Sequence, residues 1–287
     1  MKKIQLLLIS SVLFLGVQAS FAQNNEIIPY APASIKIDGK LTEFADSLAN
    51  YDKTTKVYYA IAHDANNLYV FIKASGQQEQ SKIMAGGISV SVNDKGKKKE
   101  SSTVTFPVVD RVAMMSAMRG GRGEQGNRGG SGAPTERTPA EREAQRTEMR
   151  KKMISQFKEI KVSGLNDISV ESISIYNTYG IKTGINYNDK NALIYELAIP
   201  LKLVNIDLGS TDDIAVNIRL NGIELPETGS SGGGFGGGEG RPSGGFGGGG
   251  SGGGSYGGGR PSGEAGSVNM MALFTPTAFW VKAKLAK

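Results

Sequence analysis

The chain is expected to fold as a single all-β domain, an antiparallel β-sandwich carrying one inserted helix and two low-complexity insertions. Three observations predict it. Short runs rich in Val, Ile, Tyr and Phe recur between turn residues, as in "KVYYAIAHD", "NLYVFIKAS", "GGISVSVND" and "STVTFPV". Only one stretch, "TPAEREAQRTEMRKKMISQFKEI", has helical start signals and spacing. Two segments dominated by glycine cannot bury a core, yet strand-like sequence resumes after each.

The N-terminus, "MKKIQLLLISSVLFLGVQASFAQ", has a positive start at Lys2 and Lys3 and an apolar run from Ile4 to Val17. Ser20 and Ala22 supply the small residues of a cleavage site. Residues 1–22 are therefore expected to be a secretory signal peptide, because the apolar run is short for a bilayer span. The rest, 23–287, is the sandwich domain, exported to the periplasm or secreted. No membrane span is expected in it.

Composition excludes several kinds of chemistry. There is no cysteine, hence no disulfide, no thiolate nucleophile and no cysteine zinc site. The formal net charge of +6 is concentrated: Lys2 and Lys3 belong to the leader, and nine basic against five acidic residues fall between Ala117 and Lys152. The remainder is neutral, so the basicity does not argue for a nucleic-acid surface. "RGGRGEQGNRGG" lacks the aromatic residues that stack bases, and no nucleic-acid partner is expected.

Reading onward, "IKIDGKLTEFADSLANY" suggests a short strand, a turn at Asp38-Gly39 and a helical turn with Leu41, Phe44 and Leu48 on one face. "KVYYAIAHD" and "NLYVFIKAS" form a hairpin across Asp64–Asn67, apolar on both faces, as for strands covered on both sides. "GGISVSVND" and "STVTFPV" form a second, with a lysine-rich turn at Asp94–Lys99. The first insertion, 117–152, combines the Gly/Arg-rich segment with most of a charged helix. Thr138 at the N-cap, Pro139 at N1 and Glu141 make a capping box. Met149, Met153, Phe157 and Ile160 continue it as a stripe expected to dock its far half. Strands follow in "DISVESISIYN", "YGIKTGINYND", "NALIYELAIPL" and "DIAVNIRLNGIEL". The second insertion, 227–267, is glycine with Phe235, Phe246 and Tyr256 spaced ten or eleven residues apart. It reads as a flexible loop, since loop closure rises only logarithmically with length. The tail, "MALFTPTAFWVKAKLAK", returns to complete the sheet.

Four segments resemble the family 9 carbohydrate-binding modules and the wider DOMON-like β-sandwich superfamily. They are "IKIDGKLTEFADS", "KVYYAIAHDANNLYVFIKAS", "NALIYELAIPLKLV" with Glu196, Ile199 and Pro200 in place, and "AFWVKAKLA". The resemblance implies a sandwich fold. It also implies a sugar clamped between aromatic faces, with Phe44 standing where such members often carry tryptophan. Many DOMON-like domains instead hold haem through Met or His.

Candidate chemistry is sparse. His63, the single histidine, is expected on an exposed hairpin shoulder beside Asp64. No nucleophile motif and no phosphate-cradling loop is present. Asp38 and Glu196 are the one carboxylate pair worth naming; Asp38 is expected to close its turn and Glu196 to pair with a cation. Asp64, Asp94, Asp212 and Asp213 read as turn residues rather than calcium ligands. Trp280, Tyr176, Tyr179 and Tyr187 are the candidate carbohydrate-binding residues, because a tyrosine or tryptophan face is apolar while its rim is polar. The expected function is non-catalytic binding of a glycan or another extracytoplasmic envelope component, with no cofactor. The alternatives are an envelope interaction protein working through its Gly-rich and Arg-rich segments, and a haem carrier.

Overall fold

Alternating apolar residues force the strands to pair, and the computed structural model shows how, for residues 26–45, 47–109, 138–223 and 270–287. The expected leader, most of the Gly/Arg-rich segment and the glycine loop lie outside the described residues.

Two sheets face each other. The strands are β1 (Glu26–Ile28), β2 (Asn50–Asp52), β3 (Val57–His63), β4 (Asn67–Ala74), β5 (Ile88–Asn93), β6 (Ser102–Phe106), β7 (Glu159–Ser163), β8 (Ser172–Ser174), β9 (Lys182–Tyr187), β10 (Leu193–Pro200), β11 (Ile214–Leu220) and β12 (Thr277–Leu285). One sheet has seven strands in the order β1-β12-β11-β5-β6-β7-β8; the other has five, β2-β3-β4-β10-β9. Pairing is antiparallel throughout, except that β1 runs parallel to β12. The all-β sandwich expected from the sequence is the fold observed. Both hairpins stand where the turn residues put them, β3–β4 and β5–β6.

The core lies between the sheets. Val90, Val104, Val216 and Ile218 face it from the larger sheet, and Val70, Ile72, Tyr195 and Leu197 from the smaller. Tyr59 of β3 meets Phe279 of β12 with ring centroids 4.7 Å apart. Phe106 of β6 lies 6.4 Å from Tyr195 of β10. These contacts set β12 over β3 and β6 over β10.

The far face of the five-stranded sheet is also apolar. Tyr69, Phe71, Ile194 and Ala198 form a second cluster there with Leu41 and Leu48. They are covered by a strap, residues 31–45 with 47 and 48, on which Ile35, Ile37 and Phe44 are partly buried. The expected strand at Ile35–Ile37 does not pair with any neighbour among the described residues, and the helical turn is one short 3₁₀ turn, Thr42–Phe44. Apolar residues on both faces of β4 and β10 follow from this double covering.

The helices depart further from expectation. α1 (Gln77–Gly86) links β4 to β5 and was not foreseen. Its buried positions include Glu79, Gln80 and Lys82, so it shows no apolar stripe. Gln80 Nε2 donates to the Ala74, Ser75 and Asn191 carbonyls. α2 (Pro139–Ile154) has the full capping box, Thr138 with Glu141. Its stripe does not continue: the helix ends at Ile154, and Ile160 belongs to β7. Met149 is 64% exposed, and docking falls to Arg150 and Ile154. A short helix, α3 (Met270–Phe274), precedes β12. Among the described residues no helix is long and apolar enough to cross a membrane.

Tyr195 carries a buried hydroxyl without a hydrogen-bond partner among the described residues. A buried, unpaired polar group costs roughly 1–3 kcal/mol. Tyr195→Phe should therefore raise stability by about 1 kcal/mol, read as a higher melting midpoint. A drop in the midpoint would show that this hydroxyl is held by an interaction the packing does not reveal.

Candidate functional site

The strap and the outer face of the five-stranded sheet enclose a cleft of about 490 Å³. Register explains why it is open. Lys182, Ala198 and Tyr69 pair in one row across β9, β10 and β4. Ala198 contributes only a methyl group between two long side chains. The next row ends in Pro200 opposite Asn67, with Gly180 beside Pro200. Ile35, Lys36 and Ile37 of the strap form the other wall.

The polar end of the cleft is built by the β3–β4 turn. Asp64 Oδ1 accepts from the Asn66 and Asn67 backbone N–H groups, each at 2.7 Å. Its Oδ2 accepts the Tyr69 hydroxyl at 2.6 Å, and Asn67 Nδ2 donates to that hydroxyl at 3.3 Å. Burial, and then the Asp64 contact, push the Tyr69 phenol up to about 12. Burial works to raise Asp64 as well. The Tyr69 hydroxyl and the two backbone N–H groups outweigh it and hold the carboxyl below its ordinary range. Asp64 is thus a turn residue, as its sequence context predicts, and it also fixes one polar group at the cleft. A second hollow of about 550 Å³ continues past Asn67 and Pro200 toward Leu201, Lys202 and Asp207.

Glu196 holds the strap in place. It is fully buried on β10, opposite Phe71 and Gly184. Its Oε2 accepts from the backbone N–H groups of Asp38 and Gly39, both at 2.8 Å. No cation pairs with it among the described residues, which corrects the expected ion pair: the Asp-Gly turn comes too close to leave room. Gly39 sits at φ +79°, and a Cβ there would lie 2.8 Å from Asn186 Cβ. A Cβ on Gly184 would lie 2.7 Å from the Gly39 nitrogen. Oε1 has no partner. Burial raises the carboxyl from 4.5 to about 7, against the pull of the Gly39 and Asp38 N–H groups and with further help from the Asp38 and Glu43 charges.

No protein-family model matches the chain, and no curated protein matches it in sequence.

The four residues nominated from sequence do not form one surface. Trp280 lies on β12 between core-facing Phe279 and Val281, so its side chain points out from the seven-stranded sheet. Tyr176 and Tyr179 follow β8, at the far edge of that sheet, with β11, β5, β6 and β7 between. Tyr176 is 76% exposed, with the Lys158 ammonium 5.7 Å from its ring centre. Tyr179 packs against the core. Tyr187, half-buried on β9, is covered by the Arg150 guanidinium at 4.1 Å. Burial raises its phenol, and Arg150 opposes the shift. His63 is not on an exposed shoulder: it is fully buried, bridged in parallel to Tyr30, whose ring lies 4.5 Å away.

The cleft residues Asn67, Tyr69, Lys36, Lys182 and Ala198 were not nominated. The one signal for them was the Asp64-Ala65-Asn66-Asn67 turn with Tyr69 just beyond, whose hydroxyl returns to the aspartate.

The Glu196 clasp predicts a pH dependence. The folded-state pKa lies above the unfolded one, so the folded chain binds more protons between pH 4.5 and 7. The associated stability is present below pH 4.5 and lost as pH rises through 7. Glu196→Gln keeps an acceptor for both N–H groups and carries no charge. It should be more stable than the natural chain at pH 8, by on the order of 2 kcal/mol, and nearly equal to it at pH 4.5. Parallel melting profiles across that range would contradict the assignment.

Proposed function

We propose that this chain is an exported, non-catalytic β-sandwich that binds carbohydrate in the cleft beneath the strap. One observation carries the reading: the Lys182–Ala198–Tyr69 row leaves a hollow with an apolar floor and a polar end fixed before any ligand arrives. A sugar ring needs both. Its C–H face rests on apolar surface, and its hydroxyls need donors and acceptors already in position. Ala198, Ile35, Ile37 and Pro200 supply the first, and Asn67 with the Tyr69 hydroxyl supplies the second. Preorganisation matters because groups already held lose little freedom on binding.

The cleft lining contains no carboxylate. Glycoside hydrolysis needs two facing acids, and the carboxylates around the cleft, Asp38, Glu43, Asp64 and Glu196, are engaged in holding turns and the strap. The resemblance to family 9 carbohydrate-binding modules supports the class of ligand, and the leader read from the sequence supports an extracytoplasmic setting. The site differs from the one first expected. Trp280 and the three tyrosines yield to the strap cleft, because they stand on separate surfaces or are already covered.

A panel of plant and bacterial oligosaccharides titrated by calorimetry tests the reading. At least one should bind with a dissociation constant in the millimolar range or tighter. Tyr69→Phe should weaken that binding about fivefold, the equivalent of one hydrogen bond of about 1 kcal/mol. Trp280→Ala should leave it unchanged. Absence of binding across the panel, or loss through Trp280 with Tyr69→Phe neutral, would overturn the proposal.

A further inference from the structure

The two charged side chains of the cleft lining are both lysines, Lys36 on the strap and Lys182 on β9. They stand on opposite walls. Lys182 lies two strands from Tyr69 along the same row, so roughly 10 Å separates their backbones, with only the Ala198 methyl between. Neither lysine belongs to an ion pair among the described residues, whereas Lys95, Lys151 and Lys282 do.

The acids near the strap are turned to other work. Glu43 accepts from the Lys36 backbone N–H and the Thr42 hydroxyl. Asp38 Oδ1 accepts from the Lys40 backbone N–H. Asp64 is engaged by Tyr69 and its own turn, and Glu196 by the Asp38-Gly39 turn. Two cations therefore border one hollow with no carboxylate lining it. The Tyr69 hydroxyl donates to Asp64 and already accepts from Asn67 Nδ2, so toward a ligand it offers only its remaining lone pair. Neutral sugar hydroxyls can donate to it, while the ammonium groups are left with donors to spare. A ligand with an acid group opposite the hydroxyl contact satisfies both ends of the row.

We propose that the saccharide taken by this cleft bears an anionic group, a uronate carboxylate or a sulfate ester, held between Lys36 and Lys182. This rests on the carbohydrate-binding reading above and specifies its substrate class. Selection operates through charge. A protonated amine donates to a carboxylate or sulfate oxygen with about twice the strength of a neutral pair. It offers nothing comparable to an esterified acid. Because both lysines are exposed, the preference must weaken as salt screens it.

Three probes, each titrated by calorimetry and by NMR at low salt and pH 7.5, separate the possibilities: trigalacturonic acid, its methyl ester, and a sulfated galactan oligosaccharide of similar length. At least one anionic probe should bind tenfold or more tightly than the methyl ester. The difference should shrink several-fold in 0.5 M sodium chloride. In the double variant Lys36→Gln/Lys182→Gln, the acid and its ester should bind within about twofold of each other, with an unchanged melting midpoint showing that the fold persists. Whichever anionic probe binds better identifies the acid group. Equal binding of acid and ester to the natural chain would overturn the anionic preference and leave the carbohydrate reading standing. Binding of none of the three, together with no binding across the neutral panel, would overturn both. A preference that survives the double variant would remove the two lysines from the account.

Discussion

The seven-stranded sheet depends on its last strand. β12 is inserted between β11 and β1, pairing with β11 over seven residues and with β1 over three. It carries Val281 and Ala283 into the core and sets Phe279 against Tyr59 of the opposing sheet. Without it, β1 has no partner in that sheet, and β11 becomes an edge. The chain reaches β12 only after residues 224–269, yet Ile223 N–H donates to the Leu273 carbonyl at 2.8 Å, so the excursion begins and ends at one place. Extending a four-residue connection to that length adds roughly 2 kcal/mol, at about 0.6 per doubling. Burying one or two large side chains, at roughly 1.5–3 kcal/mol each, offsets this. A long glycine-rich insertion is therefore compatible with a closed sandwich.

The second constraint is the strap. A five-stranded sheet that is apolar on both faces needs covering twice. The larger sheet covers one side and the strap the other. Beyond the Ala31 N–H, which donates to the His63 carbonyl, the strap pairs with no strand among the described residues, so its position rests on Leu41, Phe44 and Leu48 against the apolar cluster and on two N–H groups at Glu196. The carboxyl that accepts those two N–H groups is buried with no cation beside it among the described residues. This is why the clasp couples to proton binding, and why Gly39 and Gly184 must both lack a side chain. The cleft exists where the strap stands over small residues, Ala198 and Gly180, rather than over Phe71 and Ile194.

Much of the fold could be read from residues. β3, β4, β5, β6, β10, β11 and β12 announce themselves by β-branched and aromatic runs between turn residues, and Thr138-Pro139 with Glu141 marks the helix start. Two of the elements the sequence did not mark, α1 and β7, were hidden by physics that spacing does not record. α1 buries polar side chains, and Gln80 answers to the carbonyl of Asn191, distant in sequence, so no apolar face marks it. β7 was concealed because Phe157 and Ile160 fall at helical distance from Met153 by coincidence, while the pairing of Val162 with Val104 decides the conformation. The site was less legible than the fold. The position of a tyrosine in the sequence does not show its cover: Tyr179, in the loop after β8, went inward, Tyr187 on β9 went under Arg150, and Tyr69 on β4 brought its hydroxyl to the polar end of the cleft. His63 likewise sits at a strand end, where a tyrosine from the N-terminal stretch closes over it.

The closure by β12 is tested most directly by comparing thermal unfolding of two variants with the natural chain. One ends at Ile223; the other keeps residues 270–287 but replaces 224–269 with a short glycine-serine linker. The account predicts that the linked variant melts cooperatively at or above the natural midpoint, while the shortened one loses its cooperative transition. A shortened variant as stable and as cooperative as the natural chain would contradict it.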